Sequence, residues 1–237
     1  MVTPPLKERL EIVTSGIADA ARAANRDVSD ITAIVVTKFH PAQLVRDLYD
    51  LGVRNVGENR HQEAEAKAAE LGELDLTWHF IGQLQSNKAR AVRKYAQVLH
   101  SIDRLSLVNS LANAQYTPEG TPEANAVDIL DCFVQLNLTQ DPGRGGVHPK
   151  DVIELAEAVA AQPSLNLLGV MAVAPLDEEP RVAFARVRAA SERLCTVIPQ
   201  AHYISAGMSH DFAEAIAEGA THLRIGSAIT GNRPVAG

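Results

Sequence analysis

The chain has 237 residues, 46% of them hydrophobic and 22% charged, with a formal net charge of −7 and a pI near 5.6. That length suits one large domain or two small ones, and an α/β barrel commonly fills it as a single unit. The acidic balance argues against a nucleic-acid face, no apolar run approaches the roughly 20 residues of a membrane span, and the opening M-V-T-P-P-L-K-E-R-L has no signal-peptide core, so a cytoplasmic protein is expected.

Residues 6–24 place Leu6, Leu10, Val13, Ile17, Ala20 and Ala24 on one helical stripe. This helix precedes any strand, so it is expected as an extra element covering the bottom or side of the fold. Residues 31–39 then read as the first strand, an apolar run that ends in Thr37-Lys38 and is closed by Pro41. Further strands are expected at 55–58, 78–82, 98–102, 129–137, 167–173, 202–205 and 222–225. They alternate with amphipathic stretches at 41–51, 60–71, 87–95, 104–113, 149–161, 179–197 and 209–218. The stretch Y-T-P-E-G-T-P-E-A-N at 116–125 reads as a surface loop before the fifth strand. The acidic, alanine-rich helix face at 63–70 reads as solvated surface. Cys132 and Cys195 are far apart, lack a C-x-x-C spacing and read as two buried thiols.

Eight strands alternating with helices, mostly apolar on both faces, predict an α/β fold: a closed parallel (β/α)8 TIM barrel. A doubly wound sheet would carry a Gly-rich fingerprint after the first strand, and T-K-F-H-P has no glycine. No linker divides the chain, so residues 1–237 are expected to form a single domain.

Barrel chemistry sits on the face where the strands end. A lysine closing an apolar strand is costly to desolvate unless it has a partner or a reaction. Lys38 can be a solvated charge, a phosphate contact or a Schiff-base amine; the apolar run before it and Pro41 after it hold it near the axis and favour the last. A second clue lies in H-Y-I-S-A-G-M-S-H-D-F, which supplies Ser205, Gly207 and Ser209, with Ser209 placed as the N-cap of the next helix. T-H-L-R-I-G-S-A-I-T-G then puts Gly226 and Ser227 straight after the eighth strand. Loops after the seventh and eighth strands of barrels repeatedly seat a phosphate on backbone N–H groups. An aldehyde bearing a phosphate satisfies both halves, and pyridoxal 5′-phosphate (PLP) is such a molecule. Arg224 is expected to project inward from the eighth strand; facing a pyridine nitrogen, it would leave that nitrogen unprotonated and the ring a poor electron sink.

Seven stretches run in order through nearly the whole chain: V-V-T-K at 35–38, G-E-N-R-H-Q-E at 57–63, W-H-F-I-G-Q-L-Q-S-N-K at 78–88, H-S-I-D at 100–103, G-V-M-A-V-A-P at 169–175, S-A-G-M-S-H-D-F at 205–212 and R-I-G-S-A-I at 224–229. With these the chain resembles the YggS/PROSC family of pyridoxal phosphate homeostasis proteins, whose barrel is of the alanine racemase N-terminal-domain type. The resemblance implies that Lys38 is the Schiff-base lysine and Asn59 a neighbour of the cofactor. It also implies that Ser205, Gly207, Met208, Ser209, Gly226 and Ser227 surround the phosphate, and that Arg224 meets the pyridine nitrogen. The chain departs from the family pattern in D-P-G-R-G-G-V-H at 141–148, at Ala206 and at Thr230, all of which bear on the outer mouth.

The role so implied is to bind, buffer and supply PLP without turning over amino acids. Racemisation needs a base on each face of a planar intermediate. In alanine racemase the second base resembles a tyrosine from a C-terminal β-domain, which is expected to be absent here. Tyr49, Tyr95, Tyr116 and Tyr203 occupy no obvious second-base position. The expected partners are PLP and PLP-dependent apoenzymes, with no nucleic acid and no membrane, and the expected state is a monomer. Two alternatives stay open: a PLP-dependent racemase that recruits a base from a partner chain, and a cofactor-free barrel enzyme on a phosphorylated metabolite with Lys38 and Glu58 as acid and base. No metal site is expected, because His40, His61, His79 and His100 lack short ligand spacing, and His79 reads as a hydrogen-bonded interior residue.

Overall fold

The apolar runs become strands because both of their faces are covered. Side chains of one parity fill the inside of a cylinder and those of the other pack under helices. The structure, a computed structural model, describes residues 4–114 and 129–231, so the loop expected at 116–125 and the tail after Gly231 lie outside the described residues. Helix α1 (Leu6–Ala23) leads into β1 (Thr32–Val36), α2 (Ala42–Asp50), β2 (Asn55–Glu58), α3 (His61–Glu70), β3 (Thr77–Phe80), α4 (Ala89–Val92) and β4 (Val98–Ile102). Then follow α5 (Leu105–Ala112), β5 (Leu130–Gln135), α6 (Val152–Ala160), β6 (Leu165–Met171), α7 (Pro180–Val197), β7 (Tyr203–Ser205), α8 (Phe212–Ala217), β8 (His222–Ile225) and α9 (Ser227–Thr230). The strands close a parallel barrel in the order β1 to β8, and β8 seals against β1 with Thr32 opposite His222 and Ile34 opposite Arg224.

The outer layer is mostly apolar. Val45 and Leu48 of α2, Leu107 and Leu111 of α5, Phe184 and Leu194 of α7 and Ile216 of α8 are each at most 2% exposed against the strands. Cys132 lies in this layer, while Cys195 is only half-buried. Helix α1 covers the barrel's side, burying Val13, Ile17 and Ala21 against α8 and α9. Arg9 donates to the Ile229 carbonyl and Arg26 to that of Ala220, which fixes α1 at both ends. Among the described residues no helix is long and apolar enough to cross a membrane.

Several boundaries differ from expectation. Strand β1 stops at Val36, so Lys38 sits in a turn beyond the strand rather than within it. The helix expected at 87–95 is a 3-10 turn, Ser86–Lys88, followed by the single turn of α4. Strand β6 is displaced two residues toward the N-terminus of its expected span. Helix α8 starts only at Phe212, and the short helix α9 follows β8 directly.

Candidate functional site

The turn that carries Lys38 is held from several sides. The Thr37 amide donates to the Gly57 carbonyl, and the Thr37 hydroxyl donates to Glu58 Oε1 at 2.7 Å. Lys67 Nζ, reaching in from α3, donates to the same Glu58 oxygen at 2.6 Å and to the Thr37 carbonyl at 2.9 Å. The Phe39 amide donates to Glu63 Oε2 at 3.0 Å. Phe39 itself has φ 68, a left-handed backbone that a bulky side chain seldom adopts, and such outliers persist where the surroundings over-determine them. Lys38 is thus flanked by two pinned residues at the strand-end rim, half-buried, its Nζ 5.8 Å from the Phe39 ring centre.

This arrangement corrects two sequence expectations. The 63–70 face is not simply solvated, because Glu63 braces Phe39 and Lys67 is buried against Glu58. Glu58 does not stand free as an acid or base at the rim: it is 1% exposed, on the helix-facing side of β2, and bound by Lys67 and Thr37. Burial pushes its carboxyl above the ordinary range, with Lys67 pulling the other way. The sequence signal for this pair was a lysine three residues after the buried Ala64, on the inward stripe of an alanine-rich helix.

Arg224 projects into the barrel as its strand parity requires and is 5% exposed. Its Nη1 donates to Ser205 Oγ at 2.6 Å and its Nη2 to the Ala172 carbonyl at 2.8 Å, which occupies two of the five donors of a guanidinium. Burial lowers its pKa to about 10, so it stays cationic near neutral pH. Ser205, at the end of β7, is fully buried, its hydroxyl shared between Arg224 and His100 Nδ1 at 2.8 Å. His100 Nε2 in turn lies 3.0 Å from His79 Nδ1, and His79 Nε2 lies 2.9 Å from Asn55 Oδ1. His79 is therefore the hydrogen-bonded interior residue that its position suggested. Burial pushes its pKa down to about 3 and that of His100 well below the usual imidazole value. His100, Asn55 and the chain they form with His79 were missed; the signal available was one polar residue at the inward parity of otherwise apolar strands.

The loops after β7 and β8 meet at the same rim. Gly207 has φ 92, and a Cβ there would lie 2.7 Å from the Ala215 Cβ, so only glycine lets this loop lie against α8. Ser209 does not cap α8. Asp211 is the N-cap residue and its carboxylate accepts from the Met208 amide, which keeps 208–211 as a turn. The Ser209 hydroxyl accepts instead from the Ala228 amide at 3.3 Å and so ties the two loops together. Gly226 lies over Val36, two residues before Lys38, and Ser227 is exposed beside it. Met208 is 36% exposed at the mouth. Asn59, after β2, is held by Gly82, where a Cβ would meet the Asn59 carbonyl at 2.2 Å. Its buried Oδ1 has no hydrogen-bond partner among the described residues.

An unpartnered amide oxygen, a glycine-lined loop pair, a rim lysine and a buried guanidinium fit an aromatic aldehyde that carries a phosphate. Of the described tyrosines, Tyr49 in the last turn of α2 and Tyr203 at the start of β7 lie at the opposite end of the barrel, while Tyr95 reaches from before β4 to place its hydroxyl 3.4 Å from His61 Nδ1 at the start of α3. Among the described residues no group of three His, Cys, Asp or Glu side chains could hold a metal ion.

Comparison with known proteins gives concordant results. The family model described as alanine racemase, N-terminal domain, matches residues 15–234. The pyridoxal phosphate homeostasis protein of Pseudomonas aeruginosa is 39% identical over 231 residues, which is 96% of each chain. The structure of PipY from Synechococcus elongatus with PLP bound is similar with a TM-score of 0.78 and 32% identity, covering 96% of this chain and all of that one. Alanine racemase from Corynebacterium glutamicum shares the fold at 16% identity and a TM-score of 0.62, with 62% of its length covered.

Proposed function

The chain belongs to the family of pyridoxal phosphate homeostasis proteins, built on the alanine racemase N-terminal-domain barrel, and from that membership we propose that it binds PLP through Lys38 and buffers and supplies it to apoenzymes in the cytoplasm. The observation that carries the reading is the braced Lys38 turn beside the tied β7 and β8 loops, at the seam where β8 closes on β1. PLP supplies an aldehyde that condenses reversibly with an amine. Lys38 would provide that amine, held at the rim by Thr37 and Phe39. The Gly207–Ser209 and Gly226–Ser227 backbones, with the Ser209 and Ser227 hydroxyls, would hold the phosphate. Asn59 would accept at its unpartnered oxygen from the ring hydroxyl, and Arg224 would donate to the ring nitrogen. A guanidinium there would keep its own proton and leave the ring nitrogen unprotonated, so the site would not favour carbanion chemistry.

Holding without turnover is further supported by Tyr49 and Tyr203, which lie at the far end of the barrel from Lys38, and by Tyr95, whose buried ring stacks on His61 in the helix layer. We take residues 1–237 as one binding unit that works as a monomer. Borohydride reduction of the PLP-loaded protein, followed by peptide mass mapping, tests the reading: the label is expected on Lys38. Label on Lys88, Lys94 or Lys150 with Lys38 untouched would overturn it. Amino-acid racemisation by the loaded protein is expected at no more than the rate of free PLP, and a clear excess would restore the racemase alternative.

A further inference from the structure

The inside of a (β/α)8 barrel is ordinarily filled by branched apolar side chains. Here a row of polar groups crosses it, from Asn55 at the start of β2 through His79 on β3 and His100 on β4 to Ser205 at the end of β7 and Arg224 on β8. Every link lies between 2.6 and 3.0 Å. His100 also stacks on Phe133 with ring centres 4.7 Å apart, which fixes its plane.

The donor sense of this row follows from one end. A guanidinium only donates, so Ser205 Oγ accepts from Arg224. The hydroxyl of fully buried Ser205 then has its own proton to place, and the remaining neighbour is His100 Nδ1. A neutral His100 that accepts at Nδ1 carries its proton on Nε2 and donates to His79 Nδ1. His79 likewise carries its proton on Nε2 and donates to Asn55 Oδ1. Each group is satisfied once, and no link needs a charged imidazole. The opposite sense would make Ser205 accept twice and bury its proton without a partner.

We infer that Asn55, His79, His100 and Ser205 form a single directional hydrogen-bond relay whose task is to position Arg224 toward a bound ring nitrogen. They are positioning residues, acting through Arg224. The relay fixes Ser205 as an acceptor aimed at Nη1, while the Ala172 carbonyl fixes Nη2. With both terminal nitrogens tethered to different strands' ends, the fork has one orientation. The inference rests on the PLP reading of the site for the meaning of Arg224, but the relay itself does not.

The test has one arm without cofactor and one with it. In the cofactor-free protein, nitrogen-15 NMR of the imidazoles is expected to show His79 and His100 neutral with the proton on Nε2 in both; a proton on Nδ1 of either overturns the relay. In the second arm, Ser205→Ala, His100→Phe and the double variant are loaded with PLP. Each single variant is expected to release it about tenfold faster, as loss of one hydrogen bond to a charged group would give. Because both changes cut one relay, the double variant is expected to be no worse than either single, and both are expected to shift the absorption maximum in the same direction. Multiplicative losses, about a hundredfold in the double, or unchanged release in Ser205→Ala, would overturn the positioning role. Should His100→Phe not fold, Ser205→Ala and the NMR arm still decide. Failure of the wild-type protein to hold PLP on Lys38 would refute the function instead, and the imidazole spectra would stand apart from it.

Discussion

Replacing Lys67 by methionine removes the brace on the Lys38 turn while keeping most of the side chain's bulk. The Lys67 side chain is 9% exposed and that of Glu58 1%, with Nζ 2.6 Å from Oε1. Cutting one partner from a buried ion pair costs about 3–5 kcal/mol, because the other charge stays desolvated and alone. Two features place Lys67→Met inside that range rather than below it. Glu58 Oε2 already lacks a hydrogen-bond partner among the described residues, so only the Thr37 hydroxyl would remain to the carboxylate. The Thr37 carbonyl also loses its Nζ donor. Urea unfolding of the cofactor-free protein at pH 8 should show the full deficit. The carboxyl is already raised by burial and rises further without Lys67. A folded pKa above the unfolded one means the penalty is absent below the unfolded value, near 4.5, and grows as pH rises through the folded value. The deficit relative to wild type should therefore shrink toward pH 5, where Glu58 can take up a proton. Adding Glu58→Gln to Lys67→Met should recover more than half of the loss at pH 8, since a neutral pair leaves no buried charge. Borohydride labelling of Lys38 should fall in the single variant. A loss under about 0.5 kcal/mol at pH 8, or one equal at pH 5 and pH 8, would refute the reasoning, since it would lie within the range of ordinary surface changes or lack the charge that causes it.

Acid should loosen the wild-type fold before its carboxylates are reached. His79 and His222 are pushed down by burial to about 3 and about 4, and His100 is lowered likewise, so the unfolded chain binds more protons than the native one below pH 6.5. Stability from these groups is complete above 6.5 and is lost as pH falls toward their folded values, at up to roughly 4 kcal/mol per pH unit for three imidazoles. Urea midpoints from pH 7 to pH 4.5 measure it, and a flat profile would contradict neutral burial. Gly207→Ala should cost about 1–3 kcal/mol through its φ of 92 and the 2.7 Å approach to Ala215 Cβ, and should release PLP faster by displacing the Ser209 loop. Unchanged stability and retention would show that the loop can move aside.

The barrel was legible because its signal is long-wavelength: eight apolar runs at regular spacing leave few ways to bury both faces. Spans 55–58, 98–102 and 222–225 are found as expected, where a polar residue or a turn bounds the run. The run at 31–39 overshoots because Thr37 keeps one ladder bond to Gly57 while the chain already turns. Phe39 restores the apolar pattern after Thr37 and Lys38, so composition alone does not mark the turn made by the backbone there. The 87–95 stretch fails for another reason, since its helix shortens to a single turn of α4 before Tyr95, which is buried. For the site, the lysine, the arginine and the glycine loops could be placed from strand parity and strand ends. Their supports could not. Lys67 meets Glu58 nine residues away, where the helical stripe turns the lysine inward but does not name its partner, and His100 meets Ser205 across 105 residues with no local pattern at all.

Strand β2 joins the two supports. Its four residues alternate faces, so Asn55 points inward to close the His79–His100–Ser205 row, while Glu58, three residues on, points outward to Lys67 and Thr37. A one-residue slip of this strand would turn Glu58 into the barrel and Asn55 out toward the helices, undoing both supports at once. The in-register pairing of all four β2 residues with β3, from Asn55 opposite Thr77 to Glu58 opposite Phe80, is what prevents it. Gly57 lies between the two polar residues and faces Ile34, Val36 and Ile81 at 3.1 to 3.6 Å from where a Cβ would stand. A larger residue there would press on the interior at the level of the Arg224 row, and on the ladder bond from the Thr37 amide to the Gly57 carbonyl. The supports of the amine and of the guanidinium thus share one short strand, which ties their relative placement to the register of the barrel.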